Sequence, residues 1–302
     1  MPWRPWCATV SRRHVNSPWT VDRVPNRTVV ACWCGEIGRA AVARWTRGYR
    51  PGRARGTVVN KRTAVVTGAS SGIGAASARA LAAQGWHVIV GARRLDRLED
   101  LAAEIGGTAR VLDVTDAASV EAFCAQIDAC DLLVNNAGGA LGIASIAEAD
   151  DADWLRMFEM NVMSTLRLTR GLLPKLIASG DGQIITIGSI AAHESYRGGG
   201  GYNAAKHAVA SLMRVLRLEI LGQPVRVCEI DPGMVETEFS VVRFAGDQAR
   251  ADAVYAGMTP LSAADIADTV AWVASRPSHV NIDHVTIMPR DQSSAQSVHR
   301  TS

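Results

Sequence analysis

From residue 62 onward the chain alternates between two hydrophobic rhythms. Short, nearly continuous apolar runs occupy 62–66, 87–91, 110–112, 132–135, 183–188, 225–230 and 285–288. Between them lie longer stretches of helical composition and spacing, at 75–84, 96–105, 117–127, 153–178, 202–221 and 263–274, with Pro174 near the end of the fourth. Brief apolar runs bounded by turn residues read as strands buried on both faces, and the longer stretches as helices. Strands separated by helices are joined by right-handed crossovers. The pattern therefore predicts an α/β fold: a single doubly wound parallel sheet with helices on both faces. No repeat and no linker interrupts it after residue 62.

A sheet of this kind binds ligands beyond the carboxyl ends of its strands. The stretches that follow the strands are TGASSGIG at 67–74, ARR at 92–94, DVTD at 113–116, NNAG at 135–138, GSIAA at 188–192 and DPGMVET at 231–237. Gly68, Gly72 and Gly74 leave the first strand and open a helix. Glycine lets a backbone approach a pyrophosphate, and a helix N-terminus supplies free N–H donors and a positive dipole end. With Ser70, Ser71 and Ile73 between them, these residues form a candidate phosphate cradle; a plain strand-to-helix turn is the competing reading. After the second strand, Arg93 and Arg94 stand where an acidic residue would take the ribose hydroxyls of NAD. Two guanidiniums suit a 2′-phosphate, which favours NADP(H) as cofactor. Asp113 is placed to accept from an adenine amino group, or else to close a turn.

Lysine changes the picture of the second half. The chain has 32 basic residues, of which only Lys61, Lys175 and Lys206 are lysine. Lys206 follows Tyr202 by four positions, so the two share a helix face. A free phenol has a pKa of about 10 and is a poor proton carrier at neutral pH. A fixed ammonium beside it favours phenolate, and a shift of two to three units asks for about 3–4 kcal/mol. Ser189, at the end of the fifth strand, can hydrogen-bond a carbonyl oxygen. Asn161, within the 153–178 helix, can hold a water connecting to Lys206. An ordinary exposed Tyr/Lys pair and a satisfied helix asparagine are the bland alternatives.

Taken together, these motifs resemble the short-chain dehydrogenase/reductase superfamily, over residues 62–300. TGASSGIG, NNAG, Asn161, Ser189, YNAAK at 202–206 and the DPG at 231–233 appear in family order. The resemblance implies a Rossmann-like domain over 61–302. It also implies a catalytic set of Asn161, Ser189, Tyr202 and Lys206, with Tyr202 as general acid–base. It adds Asn135, Ala137, Gly138, Pro232, Gly233, Val235 and Thr237 to the cofactor contacts, and self-association as a homo-oligomer. TEFSVVRF at 237–244, SHVNIDHVTIMP at 278–289 and QSVHR at 296–300 are similar to NADP-dependent 3-hydroxy acid dehydrogenases. That likeness implies a small-molecule substrate bound by Ser189, Tyr202 and an arginine that reads its carboxylate. Arg243 and Arg197 are the candidates, Arg243 within a Gly-, Asp- and Arg-rich stretch at 239–257 that suits a lid. A broad carbonyl or 3-oxoacyl reductase, and a non-catalytic NADP-binding regulator, are the rival readings. The glycine run at 198–201 is expected to clear side chains from one pocket wall and leave it mobile. His193 and His207 are expected to be structural.

Composition adds less. Residues 1–60 carry eleven arginines against Asp22 and Glu36, about +9 of a total of +3, so the remainder is acidic by about 6. That balance gives no sign of nucleic-acid binding. The basic, tryptophan-rich segment 1–60 has no helical or strand period and is expected to be a disordered leader or upstream sequence from an early start codon. Cys124 and Cys130 fall in a helix, Cys228 in a strand, and CWC at 32–34 lacks zinc-ligand spacing. Buried free thiols in a reducing, cytoplasmic setting are expected, with no metal site. No apolar run approaches the ~20 residues of a membrane span.

Overall fold

The computed structural model describes residues 61–301. The segment 1–60, with its cysteines and its expected disorder, lies outside the described residues, as does Ser302. The strands are β1 (Thr63–Thr67), β2 (His87–Ala92), β3 (Thr108–Val111), β4 (Leu132–Asn135), β5 (Gly182–Ile187), β6 (Val225–Pro232), β7 (Val235–Glu236), β8 (Leu261–Ser262) and β9 (His284–Ile287). Seven of them form one parallel sheet in the order β3-β2-β1-β4-β5-β6-β9, while β7 and β8 pair as a separate ribbon. The chain steps outward from β1 to β3, then returns to lay β4 against the other side of β1. A crevice opens where the order reverses, above the carboxyl ends of β1 and β4.

The helices are α1 (Gly72–Ala83), α2 (Leu95–Ile105), α3 (Ala117–Ala125), α4 (Asp151–Phe158), α5 (Ser164–Ala178), α6 (Gly200–Glu219), α7 (Glu238–Arg243), α8 (Gln248–Tyr255) and α9 (Ala263–Ala274). α1, α2 and α9 cover one face of the sheet, packed on Ala64, Val66, Leu132, Val134, Ile185 and Ile230. α3, α5 and α6 cover the other, on Val65, Leu133, Ile184 and Val227. Consecutive strand residues thus enter opposite cores, which is why the strands are apolar at every position.

The doubly wound parallel fold stands as expected, with three informative differences. β3 begins at Thr108 rather than 110. It is an edge strand whose first three residues are only half-buried, so its apolar signal is weak. The helix expected over 153–178 is interrupted by one π-helical turn, Glu159–Met163, which contains Asn161. Such insertions cluster at functional sites. The stretch at 239–257 forms most of α7 and α8, which its Gly-, Asp- and Arg-rich composition hid. Cys124, Cys130 and Cys228 are buried free thiols. Among the described residues, no helix is long and apolar enough to cross a membrane.

Candidate active site

The turn from β1 to α1 is built by close approach. Gly68 adopts φ +66°, and a Cβ there would lie 2.9 Å from Ala137 Cα. A Cβ on Gly74 would lie 2.5 Å from the Gly68 carbonyl oxygen and 2.6 Å from Asn136 Nδ2. Asn136 braces this turn, donating through Nδ2 to Thr67 O at 2.9 Å and to Gly68 O at 3.3 Å. Sequence reasoning named its neighbour instead. Asn135 points the other way, donating to Thr169 Oγ1 at 3.1 Å inside the opposite core. Alternation along β4 sends adjacent side chains to opposite faces, and a two-asparagine motif does not show which one faces the crevice. Ala137 N donates to Thr67 Oγ1 at 3.1 Å, so the NNAG backbone is tied to the end of β1.

Arg94 closes the far side of the cradle. Its guanidinium donates to Ser70 Oγ at 2.9 Å and to Ser71 Oγ at 2.8 Å, and pairs with Glu238 of α7 at 2.9 Å. Arg97 pairs with the same carboxylate at 2.7 Å. These guanidiniums hold Glu238 down to about 2, hydrogen bonding from Arg97 being the largest cause. Arg93 is exposed nearby; hydrogen bonding from Thr115 holds the Asp113 carboxyl below its ordinary value, and the Arg93 charge adds to this. Asp113 Oδ1 accepts from Thr115 N at 3.0 Å and Thr115 Oγ1 at 2.7 Å, so that oxygen closes a turn. Ile73 lies in the first turn of α1. Gly72 faces Thr237, whose side chain would touch a Cβ there at 3.3 Å. Pro232 ends β6, Gly233 N donates to Ile287 O at 2.7 Å, and Val235 pairs with Leu261.

The reacting residues converge beyond β4 and β5. Tyr202 and Lys206 sit on the buried face of α6, with Lys206 Nζ 5.8 Å from the phenol ring centroid and donating to Ile187 O at 2.8 Å. Ser189 lies just past β5, its Oγ accepting from Ala191 N at 3.1 Å; burial dominates the Tyr202 phenol, and the nearby Ser189 hydroxyl opposes it. Gly138 ties the group together. A Cβ there would stand 2.5 Å from Asn161 Oδ1 and 4.0 Å from Lys206 Nζ. The Asn161 amide itself is spent on the loop after β4. Nδ2 donates to Gly139 O at 2.8 Å and Met157 O at 2.7 Å, and Oδ1 accepts from Gly139 N at 3.2 Å. Its side chain therefore braces that loop.

Electrostatics differ from the expectation too. Tyr202 is pushed up to about 12, burial being the largest cause and outweighing Ser189 and the charge of Arg243. Lys206 is drawn down to about 8, because burial outweighs the attraction of Asp231 and Glu229. Desolvation acts on both partners, raising the phenol and lowering the amine. Behind Ser189 lies a group that sequence spacing did not reveal. Asp231, fully buried at the end of β6, accepts from Ser189 N at 2.7 Å. Its other oxygen meets His193 Nε2 at 2.5 Å and His284 Nε2 at 2.6 Å. His207 Nδ1 meets Asn203 O at 2.9 Å within its own helix, a structural role as expected.

Arg243 closes the pocket from α7. Nε donates to Gly142 O and Nη1 to Tyr196 Oη, both at 3.0 Å. Arg197 is exposed. The wall includes Trp154, Met157, Tyr196, Tyr202 and Phe239, the last two edge-to-face at 5.6 Å. Glycines 199–201 do not leave this wall bare. Cβ atoms there would lie 2.4 Å from Tyr196, 2.8 Å from Trp154 and 2.4 Å from Met157 respectively. They are the floor on which three large side chains rest, in place of the expected open wall.

Comparison with known proteins agrees with this geometry. A family model described as short chain dehydrogenase matches residues 62–248. An uncharacterized oxidoreductase of Mycobacterium tuberculosis is 64% identical over 235 residues, covering 78% of this chain and 94% of that protein. Serine 3-dehydrogenase of Agrobacterium fabrum is 43% identical over 239 residues, covering 77% and 96%. The closed form of a serine dehydrogenase complexed with NADP+ superposes with a TM-score of 0.75 at 39% identity, covering 79% of this chain and 100% of that one.

Proposed function

The chain belongs to the short-chain dehydrogenase family, and from that premise we propose that it moves hydride between NADP(H) and a small alcohol or carbonyl substrate, a 3-hydroxy acid being the preferred class. The observation that carries this reading is the convergence of Ser189, Tyr202 and Lys206 beside Gly138, above the crevice where the strand order reverses. The turn itself supports a dinucleotide there: Cβ atoms at Gly68 and Gly74 would strike Ala137, Asn136 and the Gly68 carbonyl, so glycine is what permits the tight turn whose helix N-terminus can meet a phosphate. Gly68 to Gly74 would hold the pyrophosphate, Arg93, Arg94 and Ser70 a 2′-phosphate, and Lys206 the ribose beside the reacting carbon. The cofactor, when bound, supplies the acceptor or donor of a hydride.

The chain's own residues do the rest. In oxidation Tyr202 Oη takes the hydroxyl proton as the carbon gives up its hydride; in reduction the phenol returns it. Ser189 Oγ holds the substrate oxygen beside the phenol. Asn161 fixes the loop carrying Gly138 and Gly139, so that backbone and Lys206 stay in register. Phe239 and Trp154 exclude water from the reacting carbon.

Arg243 supports an acidic substrate. Its charge is felt at the Tyr202 phenol, and its Nη2 makes no protein hydrogen bond among the described residues. A carboxylate two carbons from the reacting carbon would meet it in bidentate fashion. Arg243→Ala is expected to raise KM for serine and 3-hydroxypropionate roughly tenfold or more, the scale of one charged hydrogen bond, and to spare uncharged alcohols. Equal losses on both, measured by NADPH absorbance, or turnover confined to hydrophobic ketones, would select the broad carbonyl reductase instead.

A further inference from the structure

We propose that His193, Asp231 and His284 bind one divalent transition-metal cation of the zinc type, at the carboxyl end of β6 beside the reacting centre. The three come from separate segments: the loop after β5, the last turn of β6 and the first residue of β9. Their donor atoms lie within 4.8 Å of one another. Both imidazole Nε2 atoms address a single oxygen, Asp231 Oδ2, at 2.5 and 2.6 Å. The carboxylate cannot turn away, because its other oxygen accepts the Ser189 N–H at 2.7 Å. The two rings meet edge-to-face at 4.8 Å between centroids, and their side chains are 27% and 39% exposed. The mouth of the cluster is therefore reachable from solvent while its base is dry.

A second carboxyl group stands behind the cluster. Glu229, two residues back on β6, is 4% exposed, and its Oε1 has no hydrogen-bond partner. It converges with Asp231 on one glycine: a Cβ at Gly188 would lie 1.8 Å from Asp231 Oδ1 and 2.8 Å from Glu229 Oε1. Two carboxyl groups are thus gathered at one buried point, and Lys206 turns its Nζ to Ile187 O. Asp231 is the carboxylate held out of water here, and the two imidazoles face it from the open side.

Donor chemistry selects the cation. Two imidazole nitrogens and one carboxylate oxygen suit zinc, cobalt, nickel or copper, whereas calcium and magnesium want oxygen alone. Tetrahedral zinc, with bonds of about 2.0–2.1 Å to nitrogen, separates its ligands by about 3.3–3.5 Å. To reach that spacing each Nε2 moves away from Oδ2 by under about 1 Å, and the two nitrogens, up to 4.8 Å apart, swing toward each other. Each ring then keeps one proton on Nδ1 and offers its Nε2 lone pair, any second proton passing to solvent, and the fourth position is left to water. The cation would pin β6, β9 and the loop carrying Ser189, on the side of Asp231 opposite the reacting atoms. The proposal does not depend on the dehydrogenase reading, and its readout is independent of turnover.

The test uses full-length, tag-free protein stripped with a chelator. Co2+ is titrated in while its visible absorption is followed, Zn2+ then competes, and metal per chain is counted by elemental analysis. One equivalent per chain is expected, with tetrahedral Co2+ bands and a Zn2+-dependent rise in Tm. The His193→Ala/His284→Ala double variant is expected to lose the bands and to bind at least about 100-fold more weakly, the upper end of what loss of supporting contacts costs a metal site. His87→Ala/His299→Ala is expected to leave binding unchanged. Asp231→Asn is expected to follow the double variant; should it fail to fold, the two partly exposed histidines decide the matter alone. Absence of saturable binding, or the same stoichiometry in the double variant, would overturn the proposal and leave a purely hydrogen-bonded cluster.

Discussion

The two halves of the crevice are made in opposite ways. The half beyond β1 and β2 is made of absent side chains and exposed charge: glycines that let backbones touch, and Arg93 and Arg94 at the rim. The half beyond β5 and β6 is made of polar side chains that are present and buried: Tyr202, Lys206, Glu229 and Asp231 are each under 10% exposed. In the first, geometry dominates and electrostatics are screened by water. In the second, desolvation dominates and moves protons by whole pKa units, raising the phenol and lowering the amine. The difference teaches that a tight turn is set by the side chains left out of it, whereas a buried phenol and amine are set by the water taken from around them.

Four measurements would break or sharpen that contrast. The largest effect belongs to the buried half: Tyr202→Phe is expected to cut kcat by about 10²–10⁴, the usual share of a positioned acid–base, with the thermal melt little changed. Turnover at the wild-type rate would end the acid–base reading. Next is pH. Because the phenol of the free protein stands near 12, it is protonated at neutral pH. Oxidation needs phenolate, so its kcat/KM is expected to climb by up to about tenfold per pH unit through neutrality. Reduction needs the protonated phenol and should stay flat over the same range. A bound cofactor that lowers the phenol pKa moves the plateaus of both kcat and kcat/KM to lower pH, because the alcohol meets the protein–cofactor complex. Flat oxidation profiles would show that burial does not control this proton.

In the geometric half, Gly74→Ala forces a methyl to 2.5 Å from the Gly68 carbonyl. It is expected to cost about 1–3 kcal/mol in stability and to weaken cofactor binding, read by thermal melts and NADPH fluorescence titration. Arg94→Ala should do least. Its side chain is 40% exposed, so roughly a tenfold loss of NADPH affinity is expected, with NADH affinity unchanged. Equal losses for both dinucleotides would remove the 2′-phosphate from the account.

Much of this was written in one dimension. Continuous apolar runs announced strands buried on both faces, glycines after the first run announced the tight turn, and a lone lysine four residues past a tyrosine announced the buried face of α6. These features are local: they depend on period and on the conformational freedom of particular residues. Which asparagine of a pair faces the crevice, that Asn161 sits in a π turn and spends its amide on Gly139, and that the glycine run carries Trp154 and Met157 were decided by tertiary packing. So was the meeting of His193, Asp231 and His284, spread over 91 positions of chain. Spacing along a sequence carries no record of contacts made by crossing between strands, and the pKa of a buried group is set by everything that surrounds it. The residue types are chosen by the sequence, but burial and long-range contact assign what each one does.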